Sequence, residues 1–150
     1  MQKIGIFYGS STGNSEAAAQ QLQKEFGAEV ATIYDVSSAK GSELEYDFED
    51  FLPEIKSANL KDKKVAIFGL GDQESYPDSF VDSIGITYEA IKDKGCQLVG
   101  KVSTDGYDYD ESRGEVDGEF LGLPLDEDNQ GDLTNERIKN WVEQLKGEFN

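Results

Sequence analysis

The chain has no histidine, a single cysteine and few cations: its 150 residues carry 31 Asp and Glu against 14 Lys and Arg, a formal charge of −17. Without histidine, the commonest general base and the commonest transition-metal ligand are both missing. Ser10, Ser11 and Ser15 therefore have no evident base, and no hydrolytic enzyme suggests itself. The lone Cys96 excludes an internal disulfide and argues against a thiolate metal site. No apolar run approaches the length needed to cross a membrane. Lys3-Ile4-Gly5-Ile6-Phe7 leads straight into a strand pattern and lacks the form of a signal peptide, so cytoplasmic residence is the expectation. The charge repels nucleic acid and anionic membranes. It favours solubility and steered encounters with basic protein surfaces, although plain solvation accounts for it equally well. The length suits one domain over residues 1–150, with a proper core and no room for a second.

The richest stretch is Ile4-Gly5-Ile6-Phe7-Tyr8-Gly9-Ser10-Ser11-Thr12-Gly13-Asn14-Ser15-Glu16. A β-prone apolar run stops at Gly9, passes through a loop of glycine and hydroxyls, and opens into a helical pattern. A strand feeding such a loop presents unpaired N–H groups and the positive end of a helix dipole, an arrangement that binds phosphate. Ser10, Ser11, Thr12, Asn14 and Ser15 add neutral donors. Two other phosphate motifs are excluded. The P-loop needs Lys and then Ser or Thr after its second glycine, and Gly13 is followed by Asn14. The dinucleotide fingerprint needs a third glycine, and the loop has only Gly9 and Gly13.

Further along, Ser15 to Phe26 reads as a helix with Ala18, Leu22 and Phe26 on one stripe, ended by Gly27. Glu29 to Tyr34 reads as a strand, Asp47 to Ala58 as a helix, and Lys64 to Gly69 as a buried strand. Asp78 to Lys94 is a helix pattern with Phe80, Val81, Ile84, Tyr88 and Ile91 inward, and Gln97 to Val102 a strand. A polar excursion follows from Thr104 to Glu119, then a short strand from Phe120 to Leu123. Thr134 is a fair N-cap for a last helix with the stripe Ile138, Trp141, Val142, Leu145 and Phe149. Alternating strands and helices imply a doubly wound parallel sheet with helices on both faces, whose ligands bind at the C-terminal strand ends. The loop Gly69-Leu70-Gly71-Asp72-Gln73-Glu74-Ser75-Tyr76 lies at such an end. It offers close backbone approach, a carboxylate, an amide and an aromatic that can lie against a planar ligand.

With both loops in hand, the chain resembles the flavodoxins of the long-chain type over nearly its whole length. Ser10-Ser11-Thr12-Gly13-Asn14-Ser15 is similar to the family's FMN-phosphate loop, and the Gly69–Tyr76 stretch to the loop bordering the isoalloxazine ring. Ser103-Thr104-Asp105-Gly106-Tyr107 and Leu123-Pro124-Leu125-Asp126-Glu127-Asp128-Asn129-Gln130 resemble the segments around the interrupted last strand. The resemblance implies non-covalent FMN and one-electron shuttling without substrate turnover. It further implies that Ser10, Ser11, Thr12, Gly13, Asn14 and Ser15 hold the phosphate and that Tyr76 stacks on the flavin. Leu70, Gly71 and Asp72 would contact the ring edge and ribityl chain, and Asp128 would lie near the ribityl hydroxyls. The implied partners are a ferredoxin/flavodoxin–NADP reductase and a low-potential acceptor enzyme, met by a monomer.

The resemblance breaks between Tyr34 and Asp47. The family places a further strand there, followed by a Pro-Thr-Trp-type loop. This chain runs Asp35-Val36-Ser37-Ser38-Ala39-Lys40-Gly41-Ser42-Glu43-Leu44-Glu45-Tyr46 with no apolar strand candidate. Trp141, on the last helix, is no substitute for the loop's tryptophan. One strand fewer than the family's five would leave a slot of about 9–10 Å. Closure would bring Lys64–Gly69 beside Lys3–Tyr8 in a four-stranded sheet; otherwise the segment belongs to the native chain and is missing from this sequence. The rival function is a truncated flavodoxin-fold protein with weak or no FMN binding, an apo binding module or impaired carrier. Calcium loops fail on geometry: Arg113 stands where a loop at Asp108 needs glycine, and Arg137 where one at Asp126 needs its last carboxylate. A phosphoacceptor receiver fails too, since the strands end in Tyr8-Gly9 and Phe68-Gly69 without an aspartate.

Overall fold

The computed structural model describes residues 4–8, 14–35 and 56–149. They fall into two units, one made of the chain up to Ala58 with the segment from Ile138 onward, the other of Asn59–Arg137.

In the first unit, strand β1 (Ile4–Tyr8) leads to helix α1 (Asn14–Phe26) and back to strand β2 (Ala31–Asp35). The two strands pair in parallel from Ile4 opposite Ala31 to Tyr8 opposite Asp35. Parallel neighbours need a crossover of this kind, and α1 supplies it. The helix buries Ala18, Ala19, Leu22 and Phe26, the face its apolar spacing defines. Each large side chain so buried contributes about 1.5–3 kcal/mol. The Gly27 N–H closes the helix on the Gln23 carbonyl at 2.8 Å, and the Gln23 amide reaches the Ala31 carbonyl at 3.0 Å. Most of the expected 47–58 helix lies outside the described residues; Lys56 and Ser57 have helical backbone.

In the second unit, the expected 64–69 strand is two short pieces, β3 (Lys64–Ala66) and β4 (Phe68–Leu70). After them come helix α2 (Asp82–Ile91), then β5 (Gln97–Val99), β6 (Val102–Ser103), β7 (Glu115–Val116), β8 (Glu119–Phe120) and β9 (Leu123–Leu125). β3 pairs in parallel with β5, and β4 in parallel with β9. The last strand is therefore in two halves, with the excursion between them. At the junction the Leu123 N–H donates to the Ile67 carbonyl at 2.9 Å. A side chain at Gly122 would collide with that carbonyl, so the close approach requires glycine.

The excursion has structure of its own, which its polar composition concealed. β6, β8 and β7 form a small antiparallel sheet in that order. Asp117 and Gly118, at φ 55° and 81°, make the two-residue loop between β7 and β8. Positive φ at both positions is the geometry of a type I′ hairpin, which Asp-Gly favours. The single strand expected at Phe120–Leu123 is thus divided, Phe120 belonging to β8 and Leu123 to β9.

Two helix boundaries differ from expectation. α2 begins at Asp82 because Val81 is held in left-handed backbone, φ 46° and ψ 38°, which no helical hydrogen-bond ladder can pass through. Phe80, Val81, Ile84 and Ile91 are buried as expected, while Tyr88 is only half-buried. After β9 come the short helix α3 (Glu127–Gln130), a 3₁₀ turn (Gly131–Leu133) and helix α4 (Thr134–Phe149). Thr134 does not cap α4: its own backbone is helical, and its buried hydroxyl has no partner among the described residues. From Ile138 onward α4 belongs to the first unit, where Trp141, Val142 and Leu145 are buried and Phe149 lies 6.3 Å from the Phe26 ring. Among the described residues, no helix is long and apolar enough to cross a membrane.

Candidate functional site

The second unit presents two neighbouring strand ends, those of β4 and β9, and the chemistry gathers there. Beyond Leu70, the Gly71 N–H donates to the Leu125 carbonyl at 2.9 Å and extends the ladder by one bond. The chain then winds tightly. Asp72 Oδ1 accepts from the Ser75 N–H at 2.9 Å, and the Asp72 carbonyl from the Tyr76 N–H at 2.9 Å. An aspartate bonding the backbone just ahead is a standard way to build such a turn. The turn leaves Tyr76 outermost, with 65 % of its surface exposed.

Beyond β9, Asp126 caps α3. It is extended, its Oδ1 accepts from the Asn129 N–H at 3.0 Å, and it is completely buried. Its other oxygen accepts from Gln73 twice, from the backbone N–H at 3.0 Å and from Nε2 at 2.8 Å. The Asn129 amide completes a ring of contacts by donating to Asp126 and, at 2.8 Å, to Asp72 Oδ1. Gln73, only 4 % exposed, also accepts the Asp108 N–H on Oε1 at 2.6 Å. Burial pushes the Asp126 carboxyl up, but the hydrogen bonds from Asn129 and Gln73 outweigh it and hold the pKa below the usual range. The Ser75 N–H, followed by the Asn129 amide, likewise lowers Asp72. Both are anions at neutral pH, each held among the described residues by hydrogen-bond donors and not by a cation.

The expected residues divide accordingly. Leu70, Gly71, Asp72 and Tyr76 come together on one strand end. Asp128 is exposed on α3 and takes no part in the Asp72–Gln73–Asp126–Asn129 network, the buried carboxylate of that turn being Asp126. Asn14 is exposed and Ser15 half-buried where α1 opens. Ser10, Ser11, Thr12 and Gly13 lie outside the described residues. Gln73, Asp126 and Asn129 escaped sequence reasoning. Asp126 had a signal, since an apolar run ending in Asp with Asn three residues on is an N-cap pattern. The Gln73 amide was noted as part of its loop, but nothing local announced its burial against Asp126.

The excursion packs on the other side of this loop. The Asp110 and Glu111 N–H groups both donate to the Pro77 carbonyl, at 2.8 and 2.9 Å. Phe80, Tyr107, Tyr109 and Phe120 form an aromatic cluster with centroids 5.2–6.1 Å apart. The Tyr107 hydroxyl donates to the Pro124 carbonyl at 2.6 Å, and the Arg137 guanidinium lies 4.1 Å from the centre of its ring. Burial pushes the Tyr107 phenol up to about 12. Burial also raises Tyr109, helped by its hydrogen bond to Glu115. Asp78, Asp82, Asp110, Glu111 and Glu115 line an open groove with Arg113. Among the described residues no group of three or more carboxylate, cysteine or histidine side chains could hold a metal ion.

Parallel strands joined through helices, with a hydrogen-bonded loop at their C-terminal ends, place the protein in the doubly wound α/β class. The flavodoxin family model matches residues 30–141, and the chain belongs to the flavodoxin family. A flavodoxin from Nostoc sp. is 45 % identical over 166 aligned positions, covering 99 % of this chain and 98 % of that protein. One from Synechococcus elongatus is 42 % identical, covering 99 % of each. Among solved structures, Fusobacterium nucleatum flavodoxin bound to flavin mononucleotide superposes with a TM-score of 0.90 at 28 % identity, covering all of both chains. Oxidised flavodoxin 2 from Bacillus cereus shares the fold at a TM-score of 0.67 and 22 % identity, over 98 % of this chain and 99 % of that one.

Proposed function

We propose that this protein is an FMN-dependent, low-potential one-electron carrier that shuttles electrons between redox proteins and turns over no substrate of its own. The observation that carries this reading is Tyr76, an aromatic left 65 % exposed by a loop fixed by the hydrogen bonds of its Asp72 and Gln73 side chains. Such a loop offers a flat apolar face beside backbone that is already fixed, which fits a planar flavin. When bound, FMN supplies the one-electron chemistry; the chain's own part is to hold and surround it. Tyr76 stacks on the ring, and Leu70, Gly71 and Asp72 border its edge. Ser10, Ser11, Thr12, Gly13, Asn14 and Ser15 take the phosphate, and Asp128 stands toward the ribityl hydroxyls. The acidic surround disfavours negative charge on the reduced flavin and so lowers its potential.

The charge of −17 supports basic-surfaced partners, a ferredoxin/flavodoxin–NADP reductase and a low-potential acceptor enzyme, and argues against nucleic acid or anionic membrane. The carrier is read as a cytoplasmic monomer of one domain. A second reading has one specific observation in its favour. The alignment to the Nostoc flavodoxin spans 166 positions against 150 residues in this chain, as expected if a strand and the tryptophan-bearing loop are missing. On that reading FMN binds weakly and electron transfer is impaired. An absorption spectrum of the purified protein, before and after adding excess FMN and desalting, separates the two. Retained flavin bands with quenched fluorescence support the carrier; a colourless protein that releases all added FMN supports the truncated form.

A further inference from the structure

We propose that Gln73 is a positioning residue that locks the Tyr76 loop between the α3 turn and the excursion, so that both set how firmly the flavin is held. The inference rests on the reading of that loop as the flavin border. Its ground is the two-sided use of one buried carboxamide. Nε2 donates to Asp126 at 2.8 Å, and Oε1 accepts the Asp108 N–H at 2.6 Å. Three residues beyond it stands Tyr76, and the next residue, Pro77, accepts two more excursion N–H groups, from Asp110 and Glu111. The exposed ring is therefore bracketed by two anchors on the same excursion, one through a side chain and one through a carbonyl. The carbonyl anchor does not depend on residue identity at 77. The Gln73 anchor depends on the carboxamide, which offers a donor and an acceptor on one planar group; Asn offers the same pair one methylene shorter.

Displacing the ring-bearing loop matters because contacts at a stacked ligand fall off steeply with distance. Gln73→Met keeps the volume and removes both side-chain bonds, leaving the Asp108 N–H without its acceptor and Asp126 Oδ2 with only the Gln73 backbone N–H and the Asn129 amide. Gln73→Glu keeps the acceptor for Asp108 and sets a carboxylate against Asp126. Two measurements on the full chain test the assignment. The first is amide hydrogen exchange of the FMN-free protein, which needs no flavin. Q73M is expected to speed exchange at Asp108 and Ser75–Tyr76 at least tenfold, with the β3 and β5 amides unchanged. Q73E is expected to leave Asp108 protected and to speed only Ser75–Tyr76. The second is the FMN dissociation constant by fluorescence quenching, expected to rise at least tenfold in Q73M and Q73E. Exchange as slow as wild type at Asp108 and Tyr76 in Q73M would overturn the proposal. So would uniform acceleration over the whole second unit in both variants, the mark of a merely structural residue. An FMN affinity within twofold of wild type in both variants would also overturn it. A wild type that binds no FMN refutes the carrier reading, while the exchange pattern still decides the role of Gln73.

Discussion

Asp126→Ala should cost far more than its place in a surface turn suggests. The carboxylate is fully buried and accepts from the backbone N–H of Asn129, the backbone N–H of Gln73 and both side-chain amides. Losing an aspartate N-cap costs about 1 kcal/mol. Leaving the buried Gln73 N–H and carboxamide without an acceptor adds about 1–3 kcal/mol. The sum, about 3 kcal/mol, is a substantial fraction of the roughly 5–15 kcal/mol that holds a domain folded. Asp128→Ala, two residues on and exposed, should stay within about 0.5 kcal/mol of wild type. Urea denaturation followed by far-ultraviolet circular dichroism measures both. The pH dependence gives an independent check. The folded-state pKa of Asp126 is lowered, so its contribution is present above the unfolded value near 4 and is lost as pH falls through the folded one. Wild type should therefore weaken on acidification below about pH 4 more steeply than D126A. A loss under 1 kcal/mol in D126A, or equal losses in the two alanine variants, would refute the assignment of the buried carboxylate.

The alkaline limb should report Tyr107. With its phenol raised from 10.0 to about 12 in the fold, that contribution is complete below pH 10 and disappears as pH rises through 12. Tyr107→Phe should flatten that part of the urea-midpoint profile and cost about 1 kcal/mol at pH 7, from the bond lost to the Pro124 carbonyl. Gly118→Ala should lower stability by about 1 kcal/mol through backbone strain alone, because φ is 81° and the added carbon meets nothing within 4 Å; an unchanged melting temperature would count against the type I′ turn. Tyr76→Ala should leave stability within about 0.5 kcal/mol while weakening FMN binding at least tenfold, so an affinity near wild type would remove the stacking role. Reduction rates with a basic partner should fall as ionic strength rises past about 0.1 M, and flat rates would deny electrostatic steering.

What could be read in advance follows from how each feature is encoded. The α1 stripe and the α4 stripe through Leu145 are buried as spaced, because a 3.6-residue period repeated over three or more turns leaves one face for the core. The placement of Leu70, Gly71, Asp72 and Tyr76 at one strand end was legible because a buried strand followed by glycine is a local pattern. The failures share a cause. Val81 delays the start of its helix through a backbone conformation that a β-branched residue seldom adopts, so no propensity announces it. Phe120 and Leu123 read as one strand because burial was visible and pairing partners were not. The pairing of Gln73 with Asp126 was not legible because the two lie 53 positions apart in sequence. Long-range polar pairing leaves no periodic trace. The Asp117-Gly118 pair was the exception, a local hairpin signal hidden inside a stretch read only as polar.

The register of the split strand explains why the excursion can act on the site at all. Ala66 stands opposite Val99 and Phe68 opposite Leu123, so one residue, Ile67, separates the two ladders on the β3–β4 side. On the other side the whole stretch from Gly100 to Gly122 is inserted at that one-residue step. An insertion there leaves both halves of the strand in the positions a continuous strand would occupy, with Gly122 admitting the Ile67 carbonyl where a side chain would block it. The strand's second half then ends beside Leu70, with Asp126 following, at the height of the loop that carries Tyr76. Had the insertion come after the strand, nothing in the ladder would fix its base. Placed inside the strand, its two ends are held by parallel pairing, and its Phe120 is buried with Phe80 at a 6.1 Å centroid distance. A loop anchored in this way can hold the Gln73 and Pro77 contacts in place, because its own position is set by the sheet and its aromatic cluster.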